Sequence, residues 1–166
     1  ERLTLVRDNF RNMAEILRGL GITGVDGIML DLGVSSYQFE SAGRGFSFRF
    51  EARLDMRMDN RQAFSAFDIV NGYTEQELER IFREFGEENN ARRIARNIVR
   101  AREGKPVETT GDLVRIVVDA VPRRFHSRSI HPATKVFQAL RIAVNEELES
   151  LDEGLAGGFE SLRPGG

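Results

Sequence analysis

Asp31 is the first residue whose position suggests chemistry. It closes the apolar-leaning run Gly27–Ile28–Met29–Leu30 and is followed at once by Leu32, Gly33, Val34, Ser35 and Ser36. A carboxylate at the end of a buried-looking run is either a cap that steadies a turn or the working end of a site. In open parallel sheets, ligands sit beyond the carboxyl ends of the strands, which is where this acid falls. Gly33 allows a backbone to pass close to a ligand, and Ser35 and Ser36 can cap the next element. Three chemistries could use Asp31. An aspartyl-nucleophile phosphatase wants a second acid two residues on, and Gly33 stands there instead. A magnesium site could combine Asp31 with Asp55 and Asp59, although Arg57 lies between those acids. Transfer to an exocyclic amine needs an acceptor that holds the amine and turns its lone pair toward an electrophile. On the residues alone, the structural and functional readings both stay open.

Other candidates lie further along. Arg92, Arg93, Arg96, Arg100 and Arg102 fall in a stretch without an acid, while residues 146–153 hold five acids and no base. At helical spacing, Arg92, Arg93, Arg96 and Arg100 share one side and Ile94, Ala95, Ile98 and Val99 take the other. Such a row is a solvated face paired with glutamates such as Glu87 and Glu88, or a phosphate-binding footprint extended by Arg123, Arg124 and Arg128. His126 and His131 are five apart, but without cysteine and without a third obvious ligand they make a poor metal site. His131, before Pro132, reads instead as a helix-entry residue or a hydrogen-bonding group near a substrate. Phe46, Phe48 and Phe50 could stack bases or pack in a core.

Periodicity indicates the elements that must position these groups. LTLV, residues 3–6, reads as a strand, and Phe10, Met13, Leu17 and Leu20 recur at helical spacing up to a stop at Gly21. VDGIMLDLG reads as a second strand of a parallel sheet, so the opening is a β–α–β crossover. Residues 41–60 have no sustained period and form a long loop, of the kind that is usually functional, or contain a short strand at 46–50. Four helical patterns come next between residues 64 and 122, one of them opened by Thr74 and Glu77 as a capping box. The stretch from Ala133 onward, with Val136, Phe137, Leu140, Ala143, Val144, Leu148 and Leu151 on one stripe, predicts the longest helix. The fold class is therefore α/β with an all-α insert. Residues 1–40 form part of the α/β domain, 41–63 an active-site loop, 64–130 the helical insert and 131–166 the return.

The bulk numbers bound this reading. At 166 residues, with 40% hydrophobic and 30% charged residues and a net charge of −2, one ordinary domain with a sizeable core is possible. No apolar run approaches the roughly 18 residues of a membrane span. Cysteine is absent, which excludes disulfides and thiolate metal sites and fits a reducing, cytoplasmic setting.

In order, DGIMLDLGVSSYQFE, GRGFSF, LDMRMD, FGEE with ARRIARNIV, and HPATKVFQALRIAVNEELE closely resemble the MraW/RsmH family. Its members are S-adenosylmethionine-dependent methyltransferases that act on N4 of a decoding-centre cytidine in small-subunit ribosomal RNA. The resemblance covers nearly the whole chain and implies a partial Rossmann-like class I methyltransferase sheet interrupted by the helical insert. It implies S-adenosyl-L-methionine as cofactor, with Phe10, Asp31 and Gln38 in contact with it, Asp31 also serving catalysis. Small-subunit ribosomal RNA, or the 30S subunit, is the implied partner, with Arg93, Arg96, Arg100 and Arg124 gripping it. Position 37 is Tyr where the family usually has proline. The family's glycine-rich motif and ribose-holding acid would precede Glu1, and the stretch given is therefore expected to be inactive by itself. Exposed sheet edges would favour a homodimer. A noncatalytic rRNA-binding or assembly module, with the insert doing the work, is the alternative.

Overall fold

The computed structural model describes residues 3–35, 43–123 and 130–166. They group into two compact units, residues 1–33 with 146–166, and residues 34–145.

In the first unit a 3-10 turn, Phe10–Asn12, leads into helix α1, Met13–Gly19. Asn9 opens the turn by accepting a hydrogen bond from the Arg11 N–H, and Gly21 closes the helix at φ +72°, as the expected stop requires. These elements pack on helix α7, Glu147–Ser161. Its buried positions are Ser150, Gly154 and Gly158, one every four residues, so a side of small residues lets α1 come close. Arg11 ties the turn to α7 through Glu146 at 2.8 Å and Glu153 at 3.3 Å.

The segments read as strands, 3–6 and 25–33, form no ladder among the described residues. Only Val25 is paired, in a parallel bridge with Leu162, through Val25 N–H to the Ser161 carbonyl and Arg163 N–H to the Val25 carbonyl, each 2.9 Å. The reason is that a strand, unlike a helix, takes its hydrogen bonds from a neighbour. No strand pairs with residues 3–6 or 26–33 among the described residues.

The second unit is helical. It comprises α2, Ala66–Gly72; α3, Glu75–Glu84; α4, Ala91–Arg102; α5, Thr110–Ala120; and α6, Thr134–Asn145. Thr74 and Glu77 form the expected capping box, with the Thr74 N–H donating to the Glu77 carboxylate at 2.7 Å and the Glu77 N–H to the Thr74 hydroxyl at 3.3 Å. Thr109 and Asp112 do the same for α5. The core runs from Phe46 and Leu54 through Phe82, Ile94, Ile98, Leu113 and Leu140. Helix α6, which its place in the sequence assigned to the flanking domain, packs on α2 and α3 inside this unit.

The long helix expected from Ala133 onward is two helices. Glu146 takes the left-handed conformation, φ 47° and ψ 46°, and divides α6 from α7. The last residue of α6, Asn145, bonds backward and sideways. Its Nδ2 donates to the Arg141 and Met56 carbonyls, both at 2.8 Å, and its Oδ1 accepts from the Met58 N–H at 2.7 Å. The apolar stripe stops there too, since Val136, Phe137, Leu140 and Val144 are buried and Leu148 is exposed.

Candidate functional site

Residues 43–62 are irregular but tightly held. Arg44 donates through Nη2 to the Arg57 carbonyl at 2.5 Å and the Met58 carbonyl at 3.3 Å. The carbonyls of Leu54 and Asp55 accept from the N–H groups of Phe67 and Ala66 at 2.7 and 2.8 Å, satisfying the free donors at the start of α2. Met56 is fully buried at φ 60°, a costly conformation for a side chain that persists only where its surroundings hold it. Asn145 supplies that hold. No strand forms at Phe46, Phe48 and Phe50. Phe46 is core, Phe48 packs between His131 and Phe137, and Phe50 is exposed.

The acids of this loop serve their neighbouring arginines. The Asp55 carboxylate receives Arg57 Nε and Nη2, each at 2.8 Å, and the Arg57 N–H at 3.0 Å. The side-chain bond to Arg57 holds the Asp55 pKa below its ordinary value against the opposing effect of burial. Asp59 is paired with Arg61. Groups of three or more acids or histidines placed to hold a metal do not occur among the described residues.

Asp31 lies in the first unit, exposed and outside regular structure, and its carboxylate takes no hydrogen bond among the described residues. Gly33 follows at φ +96°, a conformation that favours glycine. Phe10, in the same unit, is half-buried. Its ring lies so close to Gly154 that a Cβ there would sit 2.5 Å from it, so Phe10 packs on α7 whatever else it contacts. Gln38 and Arg124 lie outside the described residues.

On α4, Arg92, Arg93, Arg96 and Arg100 are exposed, while Ala91, Ile94, Ala95 and Ile98 are buried. Arg92, Arg93 and Arg100 have no acidic partner among the described residues, and Arg96 meets Glu75 at 3.5 Å. The fifth arginine differs. Arg102 turns inward, donating to the Val70 carbonyl at 2.7 Å and the Tyr73 carbonyl at 2.5 Å. It closes the end of α2.

Sequence reasoning missed a second cluster, where the FGEE and HPATK motifs meet. Gly86 lies so near α6 that a Cβ would approach the Lys135 carbonyl to 2.5 Å. That close approach lets Lys135 Nζ donate to the Glu87 carbonyl at 2.8 Å and Gln138 Nε2 to the Phe85 carbonyl at 3.3 Å. His131 enters α6 as expected, its Nδ1 accepting from the Ala133 N–H at 3.2 Å. Glu88, expected to pair with exposed arginines, is buried. The only signal was a glycine ahead of two acids, which does not say which acid turns inward.

Residues 1–166 match the MraW methylase family. Proteins named ribosomal RNA small subunit methyltransferase H are similar over the whole chain. That of Desulfosudis oleivorans is 55% identical across 100% of this chain and 54% of its own length. Those of Syntrophotalea carbinolica and Symbiobacterium thermophilum are 54% and 49% identical, again over 100% of this chain and 53% and 52% of their own lengths. The chain thus spans about half the length of the curated relatives it matches.

Proposed function

The chain belongs to the MraW methylase family, and from that membership we propose that the longer protein methylates N4 of a cytidine in the decoding region of small-subunit ribosomal RNA. The observation that carries this is the match in register across residues 1–166, supported by an exposed carboxylate at Asp31 with a left-handed glycine two residues on. S-adenosylmethionine, when bound, supplies a methyl group activated by its sulfonium. The described residues fit such a ligand. Asp31 offers an unengaged acceptor for hydroxyl, ammonium or amine donors, and Phe10, half-buried against α7, would add apolar surface, while Gln38 lies outside the described residues. Held by Asp31, an exocyclic amine would keep its lone pair directed away from the carboxylate and have an acceptor near its proton.

On this reading, residues 1–33 with 146–166 belong to a Rossmann-like class I methyltransferase sheet. The exposed Leu3, Leu5 and Met29 would be covered by further strands. The row Arg93, Arg96 and Arg100, continued by Arg124, would grip the RNA backbone, and the protein would act in the cytoplasm where ribosomal subunits are. The 166 residues alone are expected not to methylate RNA. Tight calorimetric binding of S-adenosylmethionine by the isolated chain would overturn that expectation.

The decisive experiment supplies the full-length protein to small subunits from cells lacking the gene and measures N4-methylcytidine by mass spectrometry. Wild-type protein should restore the mark, and Asp31→Ala should lower the rate about 100-fold or more. Undiminished activity would remove Asp31 from the site. RNA binding without methylation by the wild type would favour the noncatalytic module.

A further inference from the structure

Three consecutive residues ahead of α1 are each held by α7. Asn9 Nδ2 donates to the Ser150 hydroxyl at 3.2 Å, the Phe10 ring lies against Gly154, and Arg11 reaches Glu146 through Nη1 at 2.8 Å and Glu153 through Nε at 3.3 Å. A 3-10 turn of three residues, Phe10–Asn12, is too short to be stable alone. Its place is therefore set by α7. Further along the same face, Met13 and Ile28 each come within 3.4 Å of where a Cβ on Gly158 would stand. Ile28 begins the stretch that ends at Asp31, so one helix face supports both the aromatic ring and the segment leading to the acid.

Gly154 is the tightest point of this face. A Cβ there would stand 2.5 Å from Phe10 Cδ2 and 2.7 Å from Cε2, whereas carbon atoms in contact rest at about 3.5 to 4.0 Å. Any side chain at this position pushes the ring back by about 1 Å. Gly154 lies inside the helix without a positive φ, where alanine is the better helix former. The glycine thus serves the ring and not the helix. Arg11 is likewise a poor choice for stability alone. Its Nε and Nη2 are buried without a hydrogen-bond partner among the described residues, which costs free energy. Its two acids are 64% and 59% exposed, and pairs with exposed acids contribute little. An apolar residue would serve stability as well. What the guanidinium supplies is a fixed reach to two acids that bracket the turn carrying Phe10.

We propose that Gly154 and Arg11 are positioning residues for the methyl donor and act through Phe10: the glycine leaves the space in which the ring lies, and the arginine holds the turn that carries it. The assignment rests on the reading of Phe10 as a cofactor contact and adds what aims that ring. Displacements of about 1 Å are enough to weaken a preorganised contact severely.

The test titrates the full-length protein calorimetrically with S-adenosylhomocysteine, which has no methyl group to transfer, so that binding is read without turnover. Gly154→Ala should weaken binding about tenfold. Arg11→Met, which keeps a long side chain without the charge, should weaken it in the same direction, and it decides the matter if Gly154→Ala fails to fold. Phe10→Ala separates positioning from a merely structural role. In that background, titrated far enough for weaker binding to be read, neither substitution should cost anything further. An equal loss in both backgrounds would mean that α7 responds without the ring, and it would overturn the proposal. Wild-type affinity in both single variants would overturn it too, while leaving the proposed function standing. Wild-type protein that does not bind S-adenosylhomocysteine would overturn the cofactor reading itself.

Discussion

The two units solve the burial problem in opposite ways. In residues 34–145 the apolar faces of α2 to α6 meet one another, and all of the buried apolar side chains among the described residues, from Phe46 to Val144, lie there. In residues 1–33 with 146–166, the buried positions are Gly24, Ser150, Gly154 and Gly158. Several large apolar groups there face outward, with Leu5 at 85%, Met29 at 93% and Phe159 at 81% exposure, and others, such as Phe10 and Leu17, are only half-buried. Helices carry their hydrogen bonds within themselves and need only a partner for one stripe, so an insert of five can close on itself. A parallel strand needs neighbours for both its backbone and its two faces. Stability is therefore expected to reside in the insert.

A pair of truncations of the same side-chain type would break or sharpen that contrast. Phe82, fully buried on α3, should cost about 3 to 5 kcal/mol when replaced by alanine. Phe159→Ala on α7 should change stability by under about 0.5 kcal/mol in the 166-residue chain. Urea titration followed by helical circular dichroism measures both. Comparable losses would mean that Phe159 finds a buried partner and that the first unit holds a core of its own.

Legibility from the residues divides along the same line. The insert helices were legible because their signals are local: apolar stripes at helical spacing, and caps such as Thr74 with Glu77. The division at Glu146 was not. The amide that turns the chain there, on Asn145, is engaged by Met56 and Met58, 89 and 87 residues away, and the apolar stripe runs on through the break in the sequence. Phe48 was legible as an aromatic with two fates, but only the fold brings it to His131 and Phe137. Asp31 was singled out as the end of a strand, and that strand does not form among the described residues because no partner strand pairs with it. Its exposure and the left-handed Gly33 do not distinguish a turn-stabilising acid from a ligand-holding one. Glu88 was illegible because burial separates it from Glu87, and nothing in the dipeptide does.

Within helix α4 the contrast recurs on a smaller scale. Arg102 donates to two backbone carbonyls at the end of α2, whereas Arg93 is exposed without a partner among the described residues. Hydrogen bonds from a charged donor are each worth about 1.5 to 3 kcal/mol, so Arg102→Ala should destabilise by about 2 kcal/mol. Arg93→Ala should lie within about 0.5 kcal/mol of wild type. For RNA the order reverses. Replacing Arg93, Arg96 and Arg100 together in the full-length protein should weaken binding and lower the slope of log affinity against log salt by up to about 3. An unchanged slope would return these arginines to an ordinary solvated face.

The smallest expected effect belongs to the pinned loop that precedes α2. Asp55 sits below its ordinary pKa of 3.8, chiefly through its side-chain bond to Arg57. A carboxyl depressed in the folded state contributes stability that is fully present above the unfolded value and is lost as pH falls through the folded one. Wild-type stability should therefore decline below about pH 4, and part of that decline should vanish in Asp55→Asn. The variant starts less stable at pH 7 and shows a flatter acid limb, because its amide has no proton to take up. Urea midpoints taken at half-unit steps from pH 2 to pH 7 would compare the two proteins, with steps and range chosen to bracket roughly the whole carboxylate region. An equally steep acid limb in Asp55→Asn would mean that the bond to Arg57 does not carry the acid loss and that the loop is held by Asn145 and Arg44 instead.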